Sequence, residues 1–334
     1  MSEAEVVAGI LWLALTAYAV LGGADFGGGV WDLLASGPRA RDQRRAVAEA
    51  MGPVWEANHV WLIFMIVGLF TAFPAAFGVL AVALYLPFTI ALVGIVLRGA
   101  AFAFRAHGSE AVGDASGWGI AFGAASVIAP FAMATGAAAV ASGAIRVSGG
   151  RPASGFEAGW ATPYGLLVGL FAVAMCAYLA ATYLTVETEG TPLESDFRKR
   201  AAAAGLVAGM AAIASLILAP FAAPSLAHSL FGRGLPLLVL ALINGPIALV
   251  AVWRSRPRIA RVAVAAQVIF VLWAWAVGQW PYLAPPDIAI ADAAAPNATL
   301  TALLVVTGIG SVLLLPSLWF LFRVFKARNP AAIY

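Results

Sequence analysis

The sequence predicts an all-α polytopic membrane protein, and three observations predict it. Of 334 residues, 63% are hydrophobic and only 10% are charged, against roughly 25% charged in a soluble globular domain. The mean hydropathy is +0.93, so the chain cannot cover itself with a polar surface. The apolar residues are gathered in long runs that are apolar all round, where a β-barrel would show segments of about ten residues with alternating polarity. The same composition excludes disorder. The sequence pI of about 9.2 does not point to nucleic acid, because the net charge is only +3 and the basic residues are placed as a membrane protein places them. The single cysteine, Cys176, rules out an intrachain disulfide, a Cys-based zinc site and an iron–sulfur cluster.

A helix crosses the hydrocarbon core with about 20 apolar residues. Nine segments meet that length: 5–24, 54–73, 77–98, 118–141, 160–186, 202–223, 235–253, 260–281 and 300–322. The start, MSEAEVV, is acidic where a secretory signal is basic. The connections are short, so one membrane domain, 1–334, is expected. Orientation follows from the basic residues. The loops after spans one, three, five and seven and the C-terminal segment hold sixteen of the nineteen Lys and Arg, and the other side holds Arg146, Arg151 and Arg233. By the positive-inside rule the N-terminus is outside and the C-terminus cytoplasmic. Trp160, Trp280 and Tyr282 fall at the outer border, as an aromatic belt requires. Pro87, Pro130, Pro163, Pro246 and Pro316 fall within spans, where neighbouring helices can satisfy the freed carbonyls. No sequence repeat stands out.

Charges inside a membrane are costly, and each is a functional candidate. Span one runs into LGGADFGGGVWD, with Asp25 among Gly22, Gly23, Gly27, Gly28 and Gly29. The glycines weaken a soluble helix but admit a second backbone in a bundle, so Asp25 faces protein or water. The alternative is that Asp25 ends the helix at the border. Span two opens with GPVWEANHVW. Pro53 suits a first helical turn; Glu56 and His59 share a face at a spacing of three and could hand on protons. Asp25 and Glu56 both fall toward the cytoplasmic side, as a proton entry or as a pair of solvated helix ends. His59 is the one histidine in or near a span; His107 and His228 fall in loops. Two histidines at matching depth, as a bis-His haem needs, are not present. A lone haem ligand or a hydrogen-bonded packing residue are the two readings of His59. Trp61 packs or lines a cavity. Arg98 and Arg105, two turns apart, read as positive-inside anchors rather than a substrate clamp, and Glu187 and Glu189 as solvated. No Walker loop, nucleotide fingerprint or HExxH motif is present.

GGADFGGGVWDLL and GPVWEANHVWLI together resemble the smaller subunit, subunit II, of cytochrome bd-type quinol oxidases. The likeness continues in order through YLPFTIALVGIVLRGAAFAFR, TPYGLLVGLFAVAMCAYLAATYLTVETEG and WPYLAPPDIAIADAAAPNATLTALLVV, over almost the whole chain. The resemblance implies two four-helix bundles plus one peripheral helix. It implies no haem in this chain and haems b and d in a larger partner, subunit I, which also oxidises quinol. A structural quinone, a small single-span accessory subunit and surrounding lipid complete the implied set, with no nucleic acid. It places Asp25 and Glu56 at the family's acidic proton-path positions and Trp61 near the entrance of an oxygen route. Two departures stand out: His59 replaces Gln or Glu, and Ala103 occupies the place of an acid after span three. The expected function is that of a bacterial plasma-membrane oxidase subunit, reducing oxygen to water with cytoplasmic protons. A secondary transporter is the alternative, and a scaffold that moves no protons a third reading.

Overall fold

A computed structural model describes residues 2–107, 117–155 and 159–326; the side chains of 51–57, 106–107, 321–322 and 324–326 lie outside that description. The fold is helical, with two small antiparallel hairpins in connections. In chain order the elements are α1 (Glu3–Leu33), α2 (Ala40–Ala72), α3 (Pro74–Ala83), α4 (Tyr85–His107), α5 (Gly117–Ser142), β1 (Val147–Ser148) and β2 (Arg151–Pro152). Then come α6 (Pro163–Glu187), α7 (Pro192–Ala222), α8 (Pro224–Phe231), α9 (Leu235–Trp253), α10 (Pro257–Gln279), β3 (Tyr282–Ala284), β4 (Ile288–Ala289), α11 (Ile290–Ala293) and α12 (Asn297–Lys326). Eight of these helices are long and apolar enough to cross a membrane: α1, α4, α5, α6, α7, α9, α10 and α12. The apolar part of α2, from Asn58, and α3 form a further candidate bent by 117°.

The bend has a local cause. Proline disfavours helical geometry at the residue before it, and Phe73, before Pro74, sits at φ −136°, ψ 60°. Ala223, before Pro224, repeats this at φ −143°, ψ 60°. At the first break the Ala72 carbonyl accepts the Ala295 N–H at 2.8 Å, and Phe73 is fully buried.

The two proline breaks mark a repeat that the sequence does not advertise. Helix, long helix, short proline-headed helix, helix, helix occurs as α1 to α5 and again as α6 to α10. The packing recurs too: α1 on α2 and α6 on α7, α4 on α5 and α9 on α10, α1 on α5 and α6 on α10. The repeat lives in backbone geometry, while the lipid-facing side chains are interchangeable apolar residues.

Several expected bounds move. α1 continues through the glycines to Leu33, so Asp25 lies more than two turns inside the helix and does not end it. α2 begins at Ala40, so Pro53 and Glu56 fall in its middle, and no helix N-terminus acts on Glu56. The span expected at 77–98 is broken at Leu84 between α3 and α4. Pro163 heads α6, where its missing N–H costs nothing, and Pro87 is in the first turn of α4; Pro130, Pro246 and Pro316 are interior.

One buried cluster joins α1, α6, α7, α9 and α10 around Leu184, Phe197 and Val264. A second, around Phe73, Leu84 and Leu300, packs the start of α1 against the α2–α3 bend and the connection holding β3, β4 and α11. Arg146 ties the β1–β2 and β3–β4 connections together by donating to Asp287 at 2.8 and 3.1 Å.

Candidate functional site

The glycines of α1 let two helices close on it. A Cβ at Gly27 would lie 1.8 Å from the Cys176 carbonyl oxygen and 2.8 Å from the Ala180 Cβ of α6. At Gly29 it would lie 2.0 Å from the Ser126 Oγ of α5. Trp31 then fixes the α1–α6 contact by donating to the Ala177 carbonyl at 2.7 Å.

In the space so formed, Asp25 and Arg98 make a buried ion pair, their side chains 2% and 4% exposed. Arg98 Nη1 donates to Asp25 Oδ2 at 2.6 Å and Nη2 to Oδ1 at 2.5 Å. Nη2 also reaches the Asp25 carbonyl at 3.0 Å. Nε donates to Ser126 Oγ at 2.8 Å, and that hydroxyl donates to the Phe122 carbonyl at 2.7 Å. Asn58 Nδ2 of α2 adds a bond to Asp25 Oδ2 at 2.8 Å. The guanidinium carbon lies 5.1 Å from the Phe26 ring centroid and 4.8 Å from that of Phe122. Buried charges survive where geometry is good and remaining donors are satisfied; a bidentate fork with aromatic faces supplies both.

A second pair repeats the first two turns along. Arg105 donates to Asp32 at 3.0 and 3.1 Å and lies 5.3 Å from the Phe122 ring. Asp32 is buried and Arg105 is 23% exposed, so the ladder runs from a dry rung to a wetter one. The anchor reading of Arg98 and Arg105 is thereby corrected: buried acids on α1 attract them inward. The available signal was the matched spacing of seven, Asp25 to Asp32 and Arg98 to Arg105. Ser126 and Asn58 gave no signal of their own, since each looks ordinary until its partner is known.

The other candidates fall around this ladder. Asn58, one residue from His59, brings that turn of α2 against Asp25. His59 is half-buried and engaged with a neighbour. Trp61 packs on a small cluster containing Tyr18, Phe26, Ala129 and Cys176. Two buried atoms on this face of α2 lack partners among the described residues: the acceptor Asn58 Oδ1 and the donor Trp61 Nε1. The Glu56 side chain lies outside the described residues. Glu189 is exposed and reaches Arg258 at 3.4 Å; Glu187 is also exposed.

Among the described residues no group of three or more His, Cys, Asp or Glu could hold a metal ion. His59 on α2 is half-buried and His228 on α8 is exposed. The His107 side chain lies outside the described residues.

Residues 3–325 match the family Cytochrome bd terminal oxidase subunit II. The chain belongs to that family. It is therefore a multi-pass bacterial membrane protein and a subunit of a terminal quinol oxidase, an oxidoreductase complex. A Bacillus subtilis (strain 168) protein, described provisionally as a cytochrome bd menaquinol oxidase subunit II, is 22% identical over 97% of this chain and 96% of its own length. The Escherichia coli (strain K12) cytochrome bd-I ubiquinol oxidase subunit 2 is 28% identical over 61% of this chain and 54% of its own. The bd oxidase structure from Geobacillus thermodenitrificans superposes with a TM-score of 0.83 at 24% identity, covering 98% of this chain and 100% of that one; this likeness speaks for the fold. Broken helices and a repeated element order also occur in transporters, but the subunit II match over nearly the whole chain gives the transporter alternative no support.

Proposed function

We propose that this subunit II supports a haem-bearing subunit I and delivers protons from the cytoplasm toward the site of oxygen reduction in that partner. The carrying observation is the Asn58 bond to Asp25 at 2.8 Å. It sets the turn of α2 that follows Glu56 against the inner rung of the charged ladder, with Asp32 and Arg105 as the more accessible rung. Asn58 Oδ1 and Trp61 Nε1, which have no partner among the described residues, are an acceptor and a donor at a helical spacing of three, which share a face. An ordered water is the ordinary partner of such atoms. On this reading Asp25, Glu56 and His59 serve the proton path, and Trp61 borders an oxygen route through the apolar cluster around Tyr18 and Phe26. Quinol is oxidised in the partner, consistent with relatives named for menaquinol and ubiquinol. Haems b and d in that partner, a structural quinone and a small accessory subunit belong to the same proposal.

The single domain, 1–334, then has nine spans. Counting the bent α2–α3 pair as one gives two sets of four and a peripheral α12, two four-helix bundles in all. The basic residues put the N-terminus outside and the C-terminus in the cytoplasm.

The test is oxygen consumption per haem of the purified complex carrying Glu56→Gln. The proposal expects turnover to fall with haem content and assembly intact. Wild-type turnover would remove Glu56 from the path, and loss of haem would reassign it to folding.

A further inference from the structure

A cavity of about 330 Å³ opens on the basic face, between the α1–α2 connection and the first turns of α7. Its lining includes Ser36, Arg39, Gln43, Asp196, Lys199 and Arg200. Three cations therefore meet one carboxylate, and that carboxylate is already occupied. Asp196 accepts from Arg39 at 2.6 and 2.9 Å and from Gln43 at 3.1 Å. Arg200 spends Nη2 on neutral acceptors, Gln43 Oε1 at 2.8 Å and the Leu34 carbonyl at 3.2 Å. It is held between the rings of Trp31 and Phe197, 5.4 and 5.6 Å from their centroids. Its Nη1 is shielded from solvent and has no partner among the described residues. Lys199 is exposed and makes no ion pair among the described residues.

Lys199 and Arg200 converge on this hollow, and the one carboxylate lining it, Asp196, accepts its hydrogen bonds from Arg39 and Gln43 and offsets Arg200 only through space; the surplus of positive charge favours an anion. Further features narrow the class. The hollow has room for a polyatomic anion and not merely for a single water. The turn at Ser36–Arg39, with Gly37 at φ +76°, leads into the N-terminus of the long α2, whose first turn already carries Asp42. Leu34, whose carbonyl binds Arg200, exposes an apolar side chain beside the site. Basic pockets at a membrane border with apolar flanks suit phospholipid headgroups.

We propose that this cavity binds a phosphate group, carried by an anionic phospholipid headgroup or by free phosphate. The site is separate from the charged ladder, and the proposal does not depend on the proton path.

The purified, delipidated oxidase complex is titrated at constant ionic strength with phosphatidylglycerol, phosphatidylcholine or inorganic phosphate. Thermal unfolding and native mass spectrometry give the occupancy. The expected result is protection by phosphatidylglycerol beyond that by phosphatidylcholine. Lys199→Glu, on an exposed side chain, should weaken it by at least about tenfold. Arg200→Gln should do the same where it folds. Protection by inorganic phosphate as strong as by phosphatidylglycerol identifies the free anion as the source, and protection by phosphatidylglycerol alone identifies the headgroup; both uphold the site. Equal protection by the two lipids, or an unchanged response of Lys199→Glu, overturns it.

Discussion

Arg98→Gln is the most informative single change. It removes the cation and its two-pronged fork from Asp25, whose side chain is 2% exposed, and leaves only the Asn58 bond among the described residues. Breaking a buried pair in this way costs about 3–5 kcal/mol, because the surviving charge is stranded. Asp25→Asn should cost a similar amount, since it strands the guanidinium between Phe26 and Phe122. The double variant Asp25→Asn/Arg98→Gln strands neither. Its loss should be smaller than the sum of the singles by about 2 kcal/mol or more, near the upper end of measured couplings. The assay is the unfolding free energy of the detergent-solubilised complex by SDS titration, with haem retention followed in parallel. Additive single losses would refute the argument, because they would show that the two charges do not stabilise each other.

Gly27→Ala should destabilise the α1–α6 contact by about 1–3 kcal/mol or more, because its Cβ would sit 1.8 Å from a backbone oxygen, whereas Gly9→Ala meets nothing within 4 Å and should be near neutral in the same titration. Arg105→Gln should cost less than Arg98→Gln, because Arg105 is 23% exposed and water can partly replace it. On the opposite border, Arg146 and then the Val147 N–H hold the Asp287 carboxyl below the usual carboxylate range. A depressed folded value means stability that is present above the unfolded pKa of about 3.9 and lost as pH falls through the folded value. The protection factors of the β1–β2 and β3–β4 connections, which are corrected for the intrinsic pH dependence of amide exchange, should thus be flat from neutral pH down to that region and fall below it. Arg146→Gln should lower the protection at neutral pH and shrink the loss on acidification, because the folded carboxyl then titrates nearer to the unfolded value. Reporter fusions near residues 42 and 256 should read cytoplasmic and one near 290 external; reversed labelling at any of the three would overturn the orientation.

The helices were legible because twenty apolar residues in a row leave few alternatives, and Asp25 was legible because a charge among glycines in a span is conspicuous. What stayed hidden depended on partners. Arg98 reads as an anchor in isolation, since a basic residue at a span's end has a sufficient reason in the positive-inside rule. Only its distance to Asp25, 73 residues earlier, gives it another. Ser126 is one small polar residue among many, and its value lies in fitting the gap left by Gly29 while accepting from Arg98. The bend at Phe73 and its echo at Ala223 were written as Phe-Pro and Ala-Pro, but a proline in a membrane helix can also be absorbed as a kink. The length of α2 was missed because its first turns are polar and lie before the apolar run.

The repeat sharpens what the charged ladder means. α1 and α4 of the first set carry Asp25, Asp32, Arg98 and Arg105. α6 of the second set has Thr182 and Thr185 in its buried stretch and no acid before Glu187, and α9 has no charged residue at all. One backbone arrangement is thus built once with two ion pairs and once without them. Packing alone does not demand the pairs, since replacing a buried pair with neutral groups of similar volume is often neutral or stabilising. The asymmetry therefore argues that the first set keeps its charges for what they do. Asp25→Asn/Arg98→Gln separates the two roles in one protein. If it assembles with full haem and turns over slowly, the charges serve the reaction. If it assembles and turns over at the wild-type rate, the ladder is only one of two ways to fill the same space.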